Sequence, residues 1–583
     1  MEIEDMARLE AVSSVHPPRE ADSQPVEETS PAVNSILGAN PFVGMDGNDF
    51  TRTLQELTGE LLSRPASLIA AAGKLSGELM RIAAGTSNIE PEPGDRRFND
   101  PAWEENPFYR ALMQAYLAWR RGTQELVEAD NSANQNWKAA GQHRFAITLL
   151  TEALAPTNFL LGNPAALKRC FDTGGRSLID GFRNFLDDLW NNGGMPSQVD
   201  KRPFKVGETI AATPGAVIYR GELCEVIQYA PVTPQVRSRP VLLAPPQINK
   251  YYVMDMAPKR SLIEYGVAHG YQFFAISWRN PGPEYRDRGL DDYVAAIKEA
   301  IAAVSAITKS PDINLLAVCA GGITSTLLLG HLAATGDERV NSGTLLVTML
   351  DSGEASMTGM FATEENVRAA CLKSSQRGVL DAAALGRTFA WLRPNDLVWH
   401  YWVNNYLMGK SPEAFDILYW NADSTNLPAK LHAGFLDLLL RNPLLGVNQI
   451  EVLGTPINLR AVQNDMFLVA GMTDHICSWR AVYHAAQLFG GRTEFVLNSS
   501  GHVQSLVCPP NNFKAKYFTN PDLGKTPEAW LAAATEHKGT WWDHWLEWLE
   551  RRSGEMRPAP EALGSTKFPP LCPAPGTYVH QRP

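Results

Sequence analysis

The sequence predicts an α/β protein with a mostly parallel central sheet, a helical cap insertion and a helical N-terminal domain. Three observations predict it. Over 54–84, 103–126 and 145–161 apolar residues recur at helical spacing, as in Leu57, Leu61, Leu68, Ile69, Leu75 and Leu79. After the turn-forming Asn191-Asn192-Gly193-Gly194, short β-branched runs alternate with longer amphipathic stretches, as a parallel sheet with helical crossovers requires. From Asp351 to about Leu459 that alternation fades into a helical, aromatic-rich stretch.

At 583 residues the chain exceeds what one hydrophobic core usually serves. Residues 1–33, ending in DSQPVEETSPA, are rich in Pro, Ser and Glu without apolar periodicity, and are expected to be a disordered tail. The helical domain is placed at 34–190 and the sheet domain at 191–583, with the cap at about 352–458. Expected strands are 216–219, 225–229, 240–244, 272–277, 313–318, 343–350, 466–470 and 494–498, with helices over 291–306 and 322–333 between some of them. In the cap Phe389, Trp391, Trp399, Tyr401, Trp402, Tyr406, Tyr419 and Trp420 either cover the C-terminal edge of the sheet or pack among themselves. Trp541, Trp542, Trp545 and Trp548 are helically spaced and expected to pack on the core.

A formal charge of -11 and a pI near 5.6, with no basic run, argue against nucleic acid as a partner. The same acidity would repel a polyanionic ligand, which must then rely on local cations or backbone donors. Seven cysteines without a CxxC pair or a Cys/His ligand spacing fit neither a disulfide framework nor a zinc site, so no metal is expected and a reducing compartment is. The start, MEIEDMARLEAVSSVHPPRE, carries charge where a signal peptide would be apolar, which points to the cytoplasm. Residues 313–335 lack Asp, Glu, Lys and Arg. Asn314, Gly321-Gly322, Thr324, Ser325, Thr326 and His331 interrupt them, so they read as strand, tight turn and buried helix rather than a membrane span.

The segment from Ile313 to Thr324, INLLAVCAGGIT, holds the chemistry. An apolar strand entering a Gly-Gly turn and then a helix is the nucleophile elbow of an α/β-hydrolase fold, in which a sharp turn lifts one side chain above the sheet. Cys319 occupies that place, and the helix N-terminus behind it favours a thiolate. The usual pattern is Gly-x-nucleophile-x-Gly; here the first position is Ala317. A nucleophilic thiol needs a base and a group to orient it, in the chain order nucleophile, acid, histidine. Asp474 and His502 comply, each in a loop after an expected strand. Asp351 is the rival acid and His475 the rival base, while His331 and His544 sit in helical patterns and read as structural. Backbone amides of Ala320 and of Ile248, in the proline-stiffened loop APPQINK, are the expected oxyanion donors.

From about Asn34 onward the chain resembles the polyhydroxyalkanoate synthases, specifically the class II type associated with medium-chain monomers. The segments that carry the resemblance include LGANPFVGMDG, NNGGMPSQVD, PPQINKYYVMDM, AVCAGGIT, WLRPNDLVWHYWVNNYL, FDILYWNADSTNLPA, GMTDHICSW and SSGHVQS. The resemblance implies polymerisation of (R)-3-hydroxyacyl-coenzyme A thioesters through an acyl-cysteine, with Cys319, Asp474 and His502 as nucleophile, acid and base. It implies no cofactor beyond the coenzyme A that leaves, and a homodimer at the surface of cytoplasmic polymer granules, in contact with the growing polyester. A cysteine-dependent thioesterase and a catalytically impaired granule-binding protein are the alternatives. Two positions depart from the family: Ala317, where Gly is usual, and Cys477-Ser478, where Thr-Pro or Val-Pro is common. The first bears on elbow geometry and activity, the second on loop shape rather than chemistry.

Overall fold

A computed structural model describes residues 47–131, 137–353, 359–524 and 526–582, so the expected tail lies outside the described residues. Eleven strands form the main sheet: β1 (Gly215–Arg220), β2 (Cys224–Tyr229), β3 (Val241–Ala244), β4 (Phe273–Trp278), β5 (Ile313–Val318), β6 (Val340–Leu346), β7 (Asp465–Gly471), β8 (Thr493–Asn498), β9 (Lys516–Thr519), β10 (Thr535–Lys538) and β11 (Cys572–Pro573). Their spatial order is β10-β9-β8-β7-β6-β5-β3-β4-β2-β1-β11. The stretch from β4 to β8 is parallel throughout, and the strands outside it pair antiparallel.

Helices cover both faces of this sheet, which is why its central strands read as continuous apolar runs. Every residue of β3, β4 and β5 is buried. Along β5 the two-residue period still operates. Ile313, Leu315 and Ala317 face a core shared with Ile297, Leu328 and Val482, whereas Leu316 and Val318 face the one built on Trp541, Trp542 and Trp545. Residues 313–335 are strand β5 and the buried helix Ala320–Thr335, and no described helix is long and apolar enough to cross a membrane.

Three differences from the expected elements have local causes. The strand expected at 343–350 lies at Val340–Leu346, because the chain leaves the sheet at Val347, where φ is 44°. Strands β9, β10 and β11 were not anticipated; their Lys, Thr, Glu, Cys and Pro residues carry no apolar alternation, and pairing to a sheet edge defines them. The first helical stretch is broken into Gly47–Leu62 and Pro65–Ala83, since Pro65 forces Arg64 out of the helical region.

Between β6 and β7 the chain builds a mainly helical layer that includes Glu364–Arg377, Ala382–Trp391 and Ala429–Arg441. The N-terminal helices dock on it. Arg176–Asn191 runs so close to the π-helical turn Trp402–Leu407 that a Cβ on Gly181 would meet the Tyr406 carbonyl oxygen. The Tyr406 hydroxyl donates to the buried Asp188 at 2.8 Å, and the Trp402 indole to the Asn158 carbonyl at 3.1 Å. Trp391, Trp399, Trp402 and Tyr406 contact one another edge to face with centroids 5.2–6.3 Å apart. They form part of the seam to the N-terminal helices.

Candidate active site

The turn from β5 into helix Ala320–Thr335 sets Cys319 at φ 50°, ψ -120°, a strained conformation for a side-chain-bearing residue. Two contacts hold the turn there: the Cys319 amide donates to Leu346 O at 2.9 Å, and helix residue Ile323 donates to Cys319 O at 3.1 Å. Small residues are needed on the helix side. A Cβ on Gly321 would lie 2.4 Å from Pro245 O and 2.5 Å from Ala244 O, and one on Gly322 would lie 1.9 Å from the Thr348 hydroxyl. At the strand side, Ala317 is fully buried and in register with Ala244 and Leu345, so its methyl group is accommodated and the turn forms.

Asp474 follows β7 and His502 follows β8, at neighbouring C-terminal ends of the sheet. His502 Nδ1 lies 2.7 Å from Asp474 Oδ2. The other carboxylate oxygen accepts the amides of Ile476 at 2.8 Å and Cys477 at 2.9 Å, so the acid cannot rotate away. The thiols of Cys319 and Cys477 and the His502 ring line one cavity, close enough for each to act on the charge of the Cys319 sulfur. Burial opposes charge on His502, yet the Asp474 charge and hydrogen bond, with Cys319, push the ring up to about 10. The Cys477 thiol holds the Cys319 thiol well below its usual range, overcoming burial with help from His502 and the Ala320 amide. Cys477 itself is pushed well up, by Cys319 first and burial second. The two directions agree: the surroundings draw Cys319 toward the thiolate and His502 toward the imidazolium.

The rivals go elsewhere. Asp351 receives Asn442 at 2.8 Å and faces His484 at 3.3 Å. His331 bonds Thr455 and Lys298, each at 3.0 Å, and His544 bonds Glu494 at 2.5 Å. His475 does line the site, but burial pushes its ring down to about 4, leaving it neutral, and its Nδ1 has no hydrogen-bond partner among the described residues.

Cys319, His475, Cys477 and His502 open on a cavity of about 330 Å³, lined also by Ile248 and Ala320. Of the eight cap aromatics singled out in the sequence, Phe389 and Trp420 line it, and Phe415, Phe435, Leu438 and Leu439 supply further apolar wall. Tyr419 packs on Phe204 instead. The expectation that Cys477-Ser478 concerns only loop shape is corrected: Cys477 lines the same cavity as Cys319, with its sulfur within 4.8 Å of ligand atoms of Asp474 and His502. Its departure from the family pattern was the available signal, but sequence does not show that this loop folds onto β5. Asp474, Cys477 and His502 also bring ligand-type atoms within 4.8 Å of one another, though the Asp474–His502 bond already uses a carboxylate oxygen and a ring nitrogen.

An elbow thiol, a carboxylate-anchored imidazole and a parallel sheet that presents both at its C-terminal rim make this a Cys-His-Asp site on the α/β-hydrolase fold. Residues 241–508 accordingly match the family described as alpha/beta hydrolase fold. Residues 94–266 match that described as poly-beta-hydroxybutyrate polymerase (PhaC) N-terminus. Poly(3-hydroxyalkanoate) polymerase 1 of Ectopseudomonas oleovorans is 46% identical over 551 residues, covering 94% of this chain and 98% of that protein. Polymerase 2 of the same organism is 48% identical over 555 residues, covering 95% and 98%. The polymerase subunit of Cupriavidus necator is 39% identical over 512 residues, covering 85% of each. This chain belongs to the poly(3-hydroxyalkanoate) polymerase family.

Proposed function

We propose that the chain polymerises (R)-3-hydroxyacyl groups from coenzyme A thioesters into polyhydroxyalkanoate, releasing coenzyme A, through an acyl group carried on Cys319. The observation that carries this reading is the grouping of Cys319 with a His502 ring held 2.7 Å from Asp474, opening on an apolar cavity in a chain related over nearly its whole length to named polymerases. The Cys319 thiolate attacks the thioester carbonyl, and the amides of Ala320 and Ile248 receive the developing oxyanion. The His502 imidazolium gives its proton to the departing coenzyme A thiol. Exchange of one thioester for another keeps the acyl group activated. Neutral His502 then removes the proton from an incoming 3-hydroxyl, Asp474 holding Nδ1 so that Nε2 is the base. The apolar cavity walls favour a hydroxyacyl acceptor over water.

Within this reading the chain is of the class II, medium-chain type that its sequence segments resemble. It works as a homodimer at cytoplasmic polymer granules and needs no cofactor besides the coenzyme A its substrate carries. The test is to incubate the purified chain with 3-hydroxyacyl-coenzyme A thioesters of several lengths and follow thiol release and polymer together. Polymer in step with thiol is expected, fastest with medium-length monomers. Free hydroxy acid without polymer would overturn the polymerase reading in favour of a thioesterase, and a preference for the shortest monomers would overturn the class II assignment.

A further inference from the structure

We propose that Cys319 and Cys477 form an oxidative modification site, at which peroxide joins the nucleophile to its neighbour in a reversible intramolecular disulfide. Cys477 lies in the loop between β7 and the helix Trp479–Ala486, and this loop is folded over the elbow. Its thiol lines the same cavity as that of Cys319 and the two act on each other's charge, and its sulfur lies within 4.8 Å of ligand atoms of both Asp474 and His502. Its amide is tied to Asp474, so the backbone that carries the second sulfur is anchored to the same carboxylate as the histidine. Both sulfurs line one cavity, and all seven cysteines of the chain are free thiols. The cavity of about 330 Å³ has room for a molecule as small as hydrogen peroxide.

The chemistry balances with peroxide as oxidant. The Cys319 thiolate attacks one peroxide oxygen; the O–O bond breaks, hydroxide leaves, and the sulfur becomes a sulfenic acid by two-electron oxidation. The Cys477 sulfur then attacks the Cys319 sulfur. An S–S bond forms, the S–O bond breaks, and the departing hydroxide takes the Cys477 proton to leave as water. A small dithiol reverses the step by two thiol–disulfide exchanges, becoming a cyclic disulfide while both cysteines return as thiols. Cys477 thereby intercepts the sulfenic acid before a second peroxide takes Cys319 to the irreversible sulfinic acid. A Thr or Val at this position would have no sulfur with which to do so.

The experiment treats the full-length chain with hydrogen peroxide, alkylates the remaining thiols, digests it and weighs the peptides. The expected product is a Cys319–Cys477 cross-linked peptide lighter by two hydrogens than its parts, which vanishes on treatment with dithiothreitol as both thiols return. In Cys477→Thr, and in Cys477→Val as a second variant, Cys319 should instead gain two oxygens that dithiothreitol does not remove. Thermal melting of each variant checks that it is folded. The proposal is overturned if wild-type Cys319 reaches the sulfinic acid as fast as in the variants, or if it cross-links to another cysteine. The readout is sulfur chemistry, independent of whether the chain makes polymer.

Discussion

The Asp474 carboxylate faces His502 with one oxygen, at 2.7 Å from Nδ1, while its other oxygen is occupied by the amides of Ile476 and Cys477. Its orientation is thus set by backbone, and the imidazole inherits that orientation. Asp474→Asn can keep the two amide bonds but presents an NH₂ group to Nδ1, which favours the tautomer with the proton on Nε2. We expect kcat to fall by about 10⁴-fold with little change in melting temperature. Steady-state thiol release and a thermal melt on the same preparation check it.

A thiol drawn down and an imidazole drawn up predict a pH signature. The raised His502 value means that its stabilising contribution is fully present below the ordinary histidine range and is lost as pH rises through about 10. The lowered Cys319 value works oppositely: its contribution is present above the ordinary thiol range and is lost as pH falls through the depressed value. Between those limits the pair is charged. Alkylation of Cys319 by iodoacetamide should therefore stay fast well below pH ~8.5, the midpoint for a free thiol. His502→Gln and Cys477→Val should each move the alkylation midpoint upward, since each removes a group that favours the charged sulfur.

How far the sequence foretold these contacts depends on their range. The elbow was legible because strand, turn and helix are contiguous from Ile313 to Thr335, and local periodicity reports local structure. Asp474 and His502 were legible because each follows a strand whose end the apolar run marks. The placement of Cys477 in the cavity of Cys319 was not, because it joins residues far apart in sequence through a loop with no periodicity. The cap aromatics were legible as a group but not in their facing: helical spacing places Trp399 and Trp402 on a helical segment without saying whether substrate or the Arg176–Asn191 region covers them. Strand β9 escaped because KYFT becomes a strand by pairing with β8 on one side and β10 on the other.

The seam between the N-terminal helices and the cap has one accessible test. Tyr406 OH donates to Asp188 at 2.8 Å, and Asp188 also accepts the Ser197 amide at 3.0 Å, with the carboxylate residue 3% exposed. Tyr406→Phe removes a hydrogen bond to a charged group and should cost about 1.5–3 kcal/mol. A urea titration should show a lower midpoint with an unchanged slope, since the surface exposed on unfolding is the same.

The elbow itself separates crowding that can be relieved from crowding that cannot. A methyl group at Gly321 would press on the carbonyl oxygens of Ala244 and Pro245, which are backbone at the end of β3 and lead into the loop carrying Ile248. Because backbone yields little, Gly321→Ala should displace the turn, reducing kcat by about 10²-fold for a shift of order 1 Å at the sulfur. The same overpacking should cost about 1–3 kcal/mol of stability. At Ala317 the methyl is already housed among buried neighbours, so Ala317→Gly relieves nothing; it loosens the strand and removes a buried methyl, costing about 1–2 kcal/mol. Its kcat should stay within a few-fold of the parent, measured by coenzyme A thiol release beside a denaturant titration. A gain in activity of tenfold or more in Ala317→Gly would mean that the alanine does distort the turn, contrary to the packing around it.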